Sequence, residues 1–114
     1  MLHRMKLLDQ PFKSMKEGRK TVEVRLNDDK RRKLKVGDEI EFVIIPKLNE
    51  SLFVEILELH TYSSFKEMYS DIPAEAYDAK GKSIQEMVES TYTIYTREQE
   101  RKWGTLAITV NVIK

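Results

Sequence analysis

Residues 18–25, Gly-Arg-Lys-Thr-Val-Glu-Val-Arg, constrain the fold of this 114-residue chain more than any other segment. From Thr21 to Leu26, polar and apolar residues alternate strictly, which is typical of a β-strand with two different faces. One face would anchor the strand in a core through Val22, Val24 and Leu26. The other face would present a hydroxyl, a carboxylate and a guanidinium, spaced about 6–7 Å apart: Thr21, Glu23 and Arg25. Lys20 precedes this strand and could add its ammonium to the same polar face.

Two interpretations of this polar face are open from the spacing alone. An antiparallel strand at a sheet surface often carries an exposed Glu/Arg pair that contributes only about 0–1 kcal/mol to stability. Alternatively, the same side chains line a cleft and form a ligand-binding site. The pattern predicts a strand with one polar and one apolar face, and it does not decide between these two interpretations.

Composition sets the broad class of the protein. The chain is 40% hydrophobic and 34% charged, which predicts one globular domain over residues 1–114. It has no cysteine, which excludes disulfides and thiol catalysis. His3 and His60 are far apart in the sequence and show no Asp/Glu spacing typical of a metal-ligand set, so we expect no metal and no cofactor. The first residues contain no apolar run long enough for a signal peptide or membrane span, which favours a cytoplasmic protein.

Charge is distributed unevenly along the chain. Residues 1–35 contain 12 Lys/Arg and 5 Asp/Glu, whereas residues 36–114 contain 8 Lys/Arg and 14 Asp/Glu. This asymmetry predicts either a basic face for a phosphate-bearing ligand or internal pairing between the two segments.

Periodicity and capping residues predict five strands and several short helices. The strands are expected over residues 2–8, 21–26, 39–45, 52–59 and 105–113. The helices are expected over residues 11–17, 65–69, 83–89 and 97–103, with an irregular segment over 70–82. This order favours a small, strongly curved sheet or barrel of the α+β class.

The segment Gly18-x-Lys20-x-x-Glu23-x-Arg25 resembles the G-x-K-x-x-E-x-R signature of the ASCH domain family, in its small single-domain bacterial type. Further similarities extend along the chain: Pro11-Phe12, Gly37-Asp38, Ser64-Phe65-x-x-Met68-Tyr69, Tyr95 and Gly104-x-Leu106-Ala107-Ile108. The resemblance implies a PUA-like small β-barrel of five or six mostly antiparallel strands with short peripheral helices. It also implies that the signature strand lines a cleft.

The same resemblance implies the class of partner, since ASCH and PUA-like domains bind RNA or modified nucleosides. The expected function is therefore RNA or nucleotide binding, with Lys20, Thr21, Glu23 and Arg25 as ligand contacts. The alternative is an amidohydrolase acting on 4-acetylcytidine or a related acylated nucleoside, with Lys20 and Glu23 as catalytic residues. That branch of the family uses a Lys, a Thr and a Glu. The Lys of that branch aligns with Lys20, and its Thr aligns with Glu23. Its Glu aligns with the segment between Tyr69 and Ser83, where the acidic residues nearby are Glu75 and Asp78.

A basic run and a set of aromatic residues are further candidates for contacts with RNA. The basic run over residues 30–35 is either a surface that contacts the backbone of RNA or a solvated turn between strands. Five aromatic residues are either stacking surfaces for a base or packing residues: Tyr62, Tyr69, Tyr92, Tyr95 and Trp103.

Overall fold

The computed structural model describes residues 1–113, which form a mixed α+β fold around one curled sheet. Within these residues the sheet has five strands: β1 (Leu2–Leu8), β2 (Val22–Leu26), β3 (Glu39–Ile45), β4 (Ser51–Tyr62) and β5 (Thr105–Val112). Four α-helices surround it: α1 (Asp9–Lys16), α2 (Phe65–Asp71), α3 (Ile84–Thr91) and α4 (Arg97–Trp103). Two short 3₁₀ helices, Arg31–Lys33 and Ala74–Ala76, lie in the connections.

The strand order is β1-β3-β4-β5-β2. The β1–β3 pair is parallel, and the β3–β4, β4–β5 and β2–β5 pairs are antiparallel. The sheet curls into a half-barrel whose two edge strands are β1 and β2. The sequence-based prediction of a mostly antiparallel, PUA-like α+β fold is confirmed.

The edge strands approach each other closely enough for a side-chain bridge. The Arg25 guanidinium on β2 donates from Nη2 to the Lys6 carbonyl on β1 at 2.8 Å. We call the gap between β1 and β2 the seam, and Arg25 crosses it.

The main core fills the half-barrel and is formed by residues of α1 and of strands β1, β3, β4 and β5. It includes Met5, Leu7, Phe12, Met15, Ile40, Phe42, Leu52, Val54, Ile56, Leu106 and Ile108. Smaller apolar clusters lie on the other face of the sheet, where Leu26 packs near Phe65 and Val22 near Met68 of α2. The apolar face of β2 therefore packs against a helix.

This arrangement explains the burial of the polar face of β2. Glu23 lies opposite Ile108, and Arg25 lies opposite Leu106, in the β2–β5 register. Directly opposed residues share a face, and both β5 residues belong to the main core. Glu23 and Arg25 are thus on the face of the sheet that lines the interior of the half-barrel.

Most helices begin where capping residues predict. Ser64, Ser83 and Thr96 each accept a hydrogen bond from a backbone N–H in the first turn, and Ser83 and Thr96 form complete capping boxes. The start of α1 is different from the predicted one: the helix begins at Asp9, directly after β1, with Leu8 at the N-cap position and no side-chain cap. Asp9 is an acidic residue of the first turn, where it interacts favourably with the helix dipole.

The uneven charge distribution is partly explained by internal pairing. Arg4 lies 2.9 Å from Glu41, Lys16 pairs with Glu50, and Arg19 lies 3.3 Å from Asp78. Each pair joins the basic first 35 residues to the acidic remainder.

Candidate ligand-binding site

Three charged residues of the signature segment meet at the seam. Lys20 Nζ lies 3.0 Å from Glu23 Oε1, and the Arg25 Nε–H donates to Glu23 Oε2 at 2.7 Å. Glu23 is only 4% exposed, and the side chains of Lys20 and Arg25 are 15% and 13% exposed. We call this group the Lys20–Glu23–Arg25 cluster.

Local structure places each member of the cluster. Gly18 has a φ of 81°, a conformation that favours glycine, and it ends the turn after α1. Lys20 then forms an isolated antiparallel bridge with Tyr77, which ties the start of β2 to the 70–82 segment. Strand β2 orients Glu23 and Arg25 to the same side because they are two residues apart.

Glu23 is ionised in this environment. Burial raises the pKa of a carboxyl, but the charges and hydrogen bonds of Lys20 and then Arg25 outweigh this effect. The pKa of Glu23 is therefore held below its usual value. The cluster carries one net positive charge, since two cations surround one carboxylate.

The cluster lies on the wall of a cavity of about 460 Å³. This volume is within the range of small-molecule sites in proteins. Strand β1 contributes Lys6, Leu7 and Leu8, while the opposite walls come from α2, the 70–82 segment and α3. The cavity therefore opens beside the seam of the half-barrel.

Aromatic and apolar side chains form much of the wall. Tyr69, Tyr77 and Tyr95 border the cavity together with Pro11, Val24, Ile45, Met87 and Ile94. The rings of Tyr69 and Tyr77 meet edge to face at 5.1 Å, and Tyr95 stacks on Phe65 at 5.7 Å. These contacts hold aromatic surfaces in fixed positions around the cavity.

The tyrosine hydroxyls are protonated at neutral pH. Burial raises the pKa of Tyr69, and the Glu23 carboxylate raises it further, while the hydrogen bond with Thr91 opposes them. Burial also raises the pKa of Tyr95. Because Thr91 Oγ1 donates to the Met87 carbonyl at 2.8 Å, Tyr69 must be the donor in the 2.7 Å hydrogen bond with Thr91.

Positive charge dominates the cavity. Among the described residues, four cations and one carboxylate border it: Lys6, Lys20, Arg25, Lys82 and Glu23. Lys6 and Lys82 are exposed. The cavity wall consequently has a net charge of +3, which favours an anionic ligand.

The other predicted site residues lie elsewhere. Thr21 is exposed at the start of the signature strand, outside the residues that border the cavity. Glu75 is exposed in the 3₁₀ helix Ala74–Ala76. Asp78 accepts from Ser14 Oγ at 2.7 Å and pairs with Arg19. Within residues 1–113, neither acid joins the Lys20–Glu23–Arg25 cluster.

Sequence reasoning missed Lys6, Lys82 and Tyr77 as cavity residues. Lys6 is an alternating polar residue of β1, and Lys82 belongs to a segment without periodicity. Neither position carries a pattern that distinguishes it from a surface lysine. Only the approach of β1 and the 70–82 segment to β2 brings these residues together.

The model of the ASCH domain family matches residues 5–114. This chain belongs to the ASCH domain family. The sequence-based assignment to this family is thereby confirmed. ASCH domains have a PUA-like fold, which is generally associated with RNA binding.

Several solved structures share this fold. The chain is 36% identical to the hypothetical protein PH0355, with a TM-score of 0.88, and the match covers 99% of this chain and 100% of that one. It is 32% identical to protein PF0455 from Pyrococcus furiosus, with a TM-score of 0.78 and coverage of 100% and 99%. An ASCH protein from Zymomonas mobilis is 14% identical, with a TM-score of 0.58 and coverage of 96% and 66%, and it supports the fold alone. No curated protein matches the sequence.

Residues 1–113 contain neither a candidate metal site nor a helix that could cross a membrane. No group of three or more His, Asp or Glu side chains in residues 1–113 is arranged to hold a metal ion. None of the helices in that range has the length and apolarity of a bilayer-spanning segment.

Proposed function

We propose that this ASCH domain binds RNA or a nucleotide in the cavity beside the seam. The observation that carries this proposal is the combination of aromatic walls with four cations and a single carboxylate, which is paired with two of those cations. A nucleotide needs both features, since its base stacks on aromatic rings and its phosphate attracts cations.

Each member of the cluster has a role in this proposal. Glu23 uses one lone pair of each oxygen for its two cations, so it retains acceptor capacity for an exocyclic amine of a base. Lys20 and Arg25 fix the carboxylate and supply positive charge. Lys6 and Lys82 are exposed and border the cavity, so in this proposal they attract the phosphate.

The catalytic alternative receives less support from the same geometry. A general base works best when its pKa lies near the working pH, and the pKa of Glu23 is held low by two cations. We therefore expect the protein to release no cytidine from 4-acetylcytidine. Release of cytidine that Lys20→Ala abolishes would replace the binding proposal with the amidohydrolase one.

The test of binding uses Lys82 because this lysine borders the cavity and, within residues 1–113, forms no ion pair with Glu23 of the cluster. We expect Lys82→Gln to weaken binding of a labelled single-stranded RNA and of mononucleotides about fivefold, measured by fluorescence anisotropy and calorimetry. Lys80→Gln is the matched control, since Lys80 is exposed in the same segment and does not border the cavity. Equal affinities of both variants and the unmodified protein would remove the cavity from the binding site.

A further inference from the structure

A second group of cations lies outside the set of residues that border the cavity. Five of them follow β2 in the sequence and one lies in the last turn of α4: Lys30, Arg31, Arg32, Lys33, Lys35 and Lys102. We call this group the basic surface. All except Arg31 are exposed.

Most charges of the basic surface are uncompensated. Arg31 pairs with Asp28 at 3.2 Å. Arg32 donates to two backbone carbonyls, those of Asn27 at 2.7 Å and Trp103 at 3.4 Å. Within residues 1–113, the four lysine ammonium groups form no ion pair. This distinguishes the basic surface from the lysines and arginines that pair with the acidic part of the chain.

Trp103 gives the basic surface an aromatic centre. The Arg32 guanidinium lies 5.6 Å from the centre of the indole, and Lys102 Nζ lies 4.8 Å from it. The indole is half-buried. Cations combined with an aromatic side chain are the features with which proteins bind a single-stranded nucleic acid, through phosphate contacts and stacking.

A shared apolar cluster connects the basic surface to the cavity wall. Arg25 of the cavity and Arg31 of the surface are six residues apart, so at most about 20 Å of chain separates them. Tyr95 borders the cavity, and Tyr95 and Trp103 both pack against one apolar cluster, which includes Leu26 and Phe65. The Asn27 N–H also donates to the Gly104 carbonyl, which ties this connection to the end of α4.

We propose that the ligand is a single-stranded RNA whose backbone lies along the basic surface while one nucleotide occupies the cavity. This inference rests on the proposed function and specifies its ligand as a polymer. A mononucleotide would use the cavity alone and leave the uncompensated lysines without a partner.

The experiment compares three probes on the full chain: mononucleotides, a 12-nucleotide single-stranded RNA of mixed sequence, and a duplex of the same length. We expect the single strand to bind at least about tenfold more tightly than any mononucleotide and than the duplex. Lys33→Gln/Lys35→Gln should weaken single-strand binding and reduce the slope of log affinity against log salt by about 1.4, at about 0.7 per phosphate contact. Mononucleotide affinity should not change, because neither lysine borders the cavity.

The matched control is Lys47→Gln/Lys66→Gln, which removes the same charge from exposed positions in the β3–β4 connection and on α2. It should bind all probes like the unmodified protein. The inference is overturned if the single strand binds no better than a mononucleotide, if the duplex binds equally well, or if Lys33→Gln/Lys35→Gln leaves affinity and salt slope unchanged. Failure of the cavity proposal looks different: the single strand would bind through the lysines, while Lys82→Gln would have no effect on any probe.

Discussion

Glu23 is the residue on which the site most depends, because it is a buried carboxylate held between two cations. We expect Glu23→Gln to lower the free energy of unfolding by about 3 kcal/mol, since it leaves Lys20 and Arg25 close together with no counter-charge. Urea unfolding at pH 7 measures the change. Glu75→Gln is the control, because Glu75 is exposed on the surface. Equal stability of the two variants would mean that the cluster contributes nothing to the fold.

Tyr69 and Tyr77 border the same cavity and differ in one hydrogen bond. Tyr69 donates to Thr91, whereas the buried Tyr77 hydroxyl has no hydrogen-bond partner within residues 1–113. Tyr69→Phe should lower the free energy of unfolding by about 1 kcal/mol, and Tyr77→Phe should leave it unchanged or raise it by up to about 1 kcal/mol. Thermal or urea unfolding of the pair provides the measurement. A larger loss in Tyr77→Phe would contradict this difference.

The cluster itself was predictable from the sequence because its members belong to one strand. Alternation placed Glu23 and Arg25 on a common face, and the signature added Lys20. Their burial was not predictable, since it results from the position of β2 at the seam, where β1 approaches from a distant part of the sheet. Thr21 shares the alternation but lies outside the cavity, which shows that spacing predicts a face and not its surroundings.

The connection between α4 and β5 depends on Gly104. This residue has a φ of 72° and a ψ of −173°, a region that only glycine adopts readily, and an added Cβ would lie 2.9 Å from the Tyr62 carbonyl oxygen. Gly104→Ala should therefore lower the free energy of unfolding by about 3 kcal/mol or more. Gly81→Ala is the matched control, because Gly81 also has a positive φ but its added Cβ would meet no atom within 4 Å.

We expect Gly81→Ala to cost only about 1 kcal/mol, the cost of the backbone conformation. Urea unfolding of both variants tests the difference. If the two substitutions have equal effects, the close approach to Tyr62 does not matter for stability.

The sequence predicts the starts of the helices better than it predicts the order and pairing of the strands. Ser83 and Thr96 marked two helix starts because side-chain capping is a local interaction. The start of α1 at Asp9 was missed because β1 continues directly into the helix without a capping side chain. Sheet order and the parallel β1–β3 pair depend on contacts between distant segments, which local patterns do not report.

Over the whole molecule, the pairing of acidic groups links folding to pH. Glu23, Asp38, Glu41 and Glu86 all have pKa values lowered in the folded protein, because of partners that include Lys20, His3, Ser51 and Ser83 respectively. The unfolded chain therefore binds more protons than the folded one as the pH falls. The stability that these groups contribute is present above the carboxyl pKa values of the unfolded chain, near 4 to 4.5, and is lost as the pH falls below them.

Glu23 should account for a distinct part of this acid sensitivity, since it is the buried member of the four. The difference in unfolding free energy between the unmodified protein and Glu23→Gln should be largest near pH 7. It should shrink as the pH falls below about 4.5, because the unfolded chain takes up a proton at Glu23 there, whereas the folded protein takes it up only at lower pH. Urea unfolding of both proteins from pH 7 to pH 3 measures this, with Glu75→Gln as the variant expected to follow the unmodified protein throughout. A difference that stays constant over this range would show that Glu23→Gln acts through packing and not through charge, and the electrostatic account of the cluster would then be wrong.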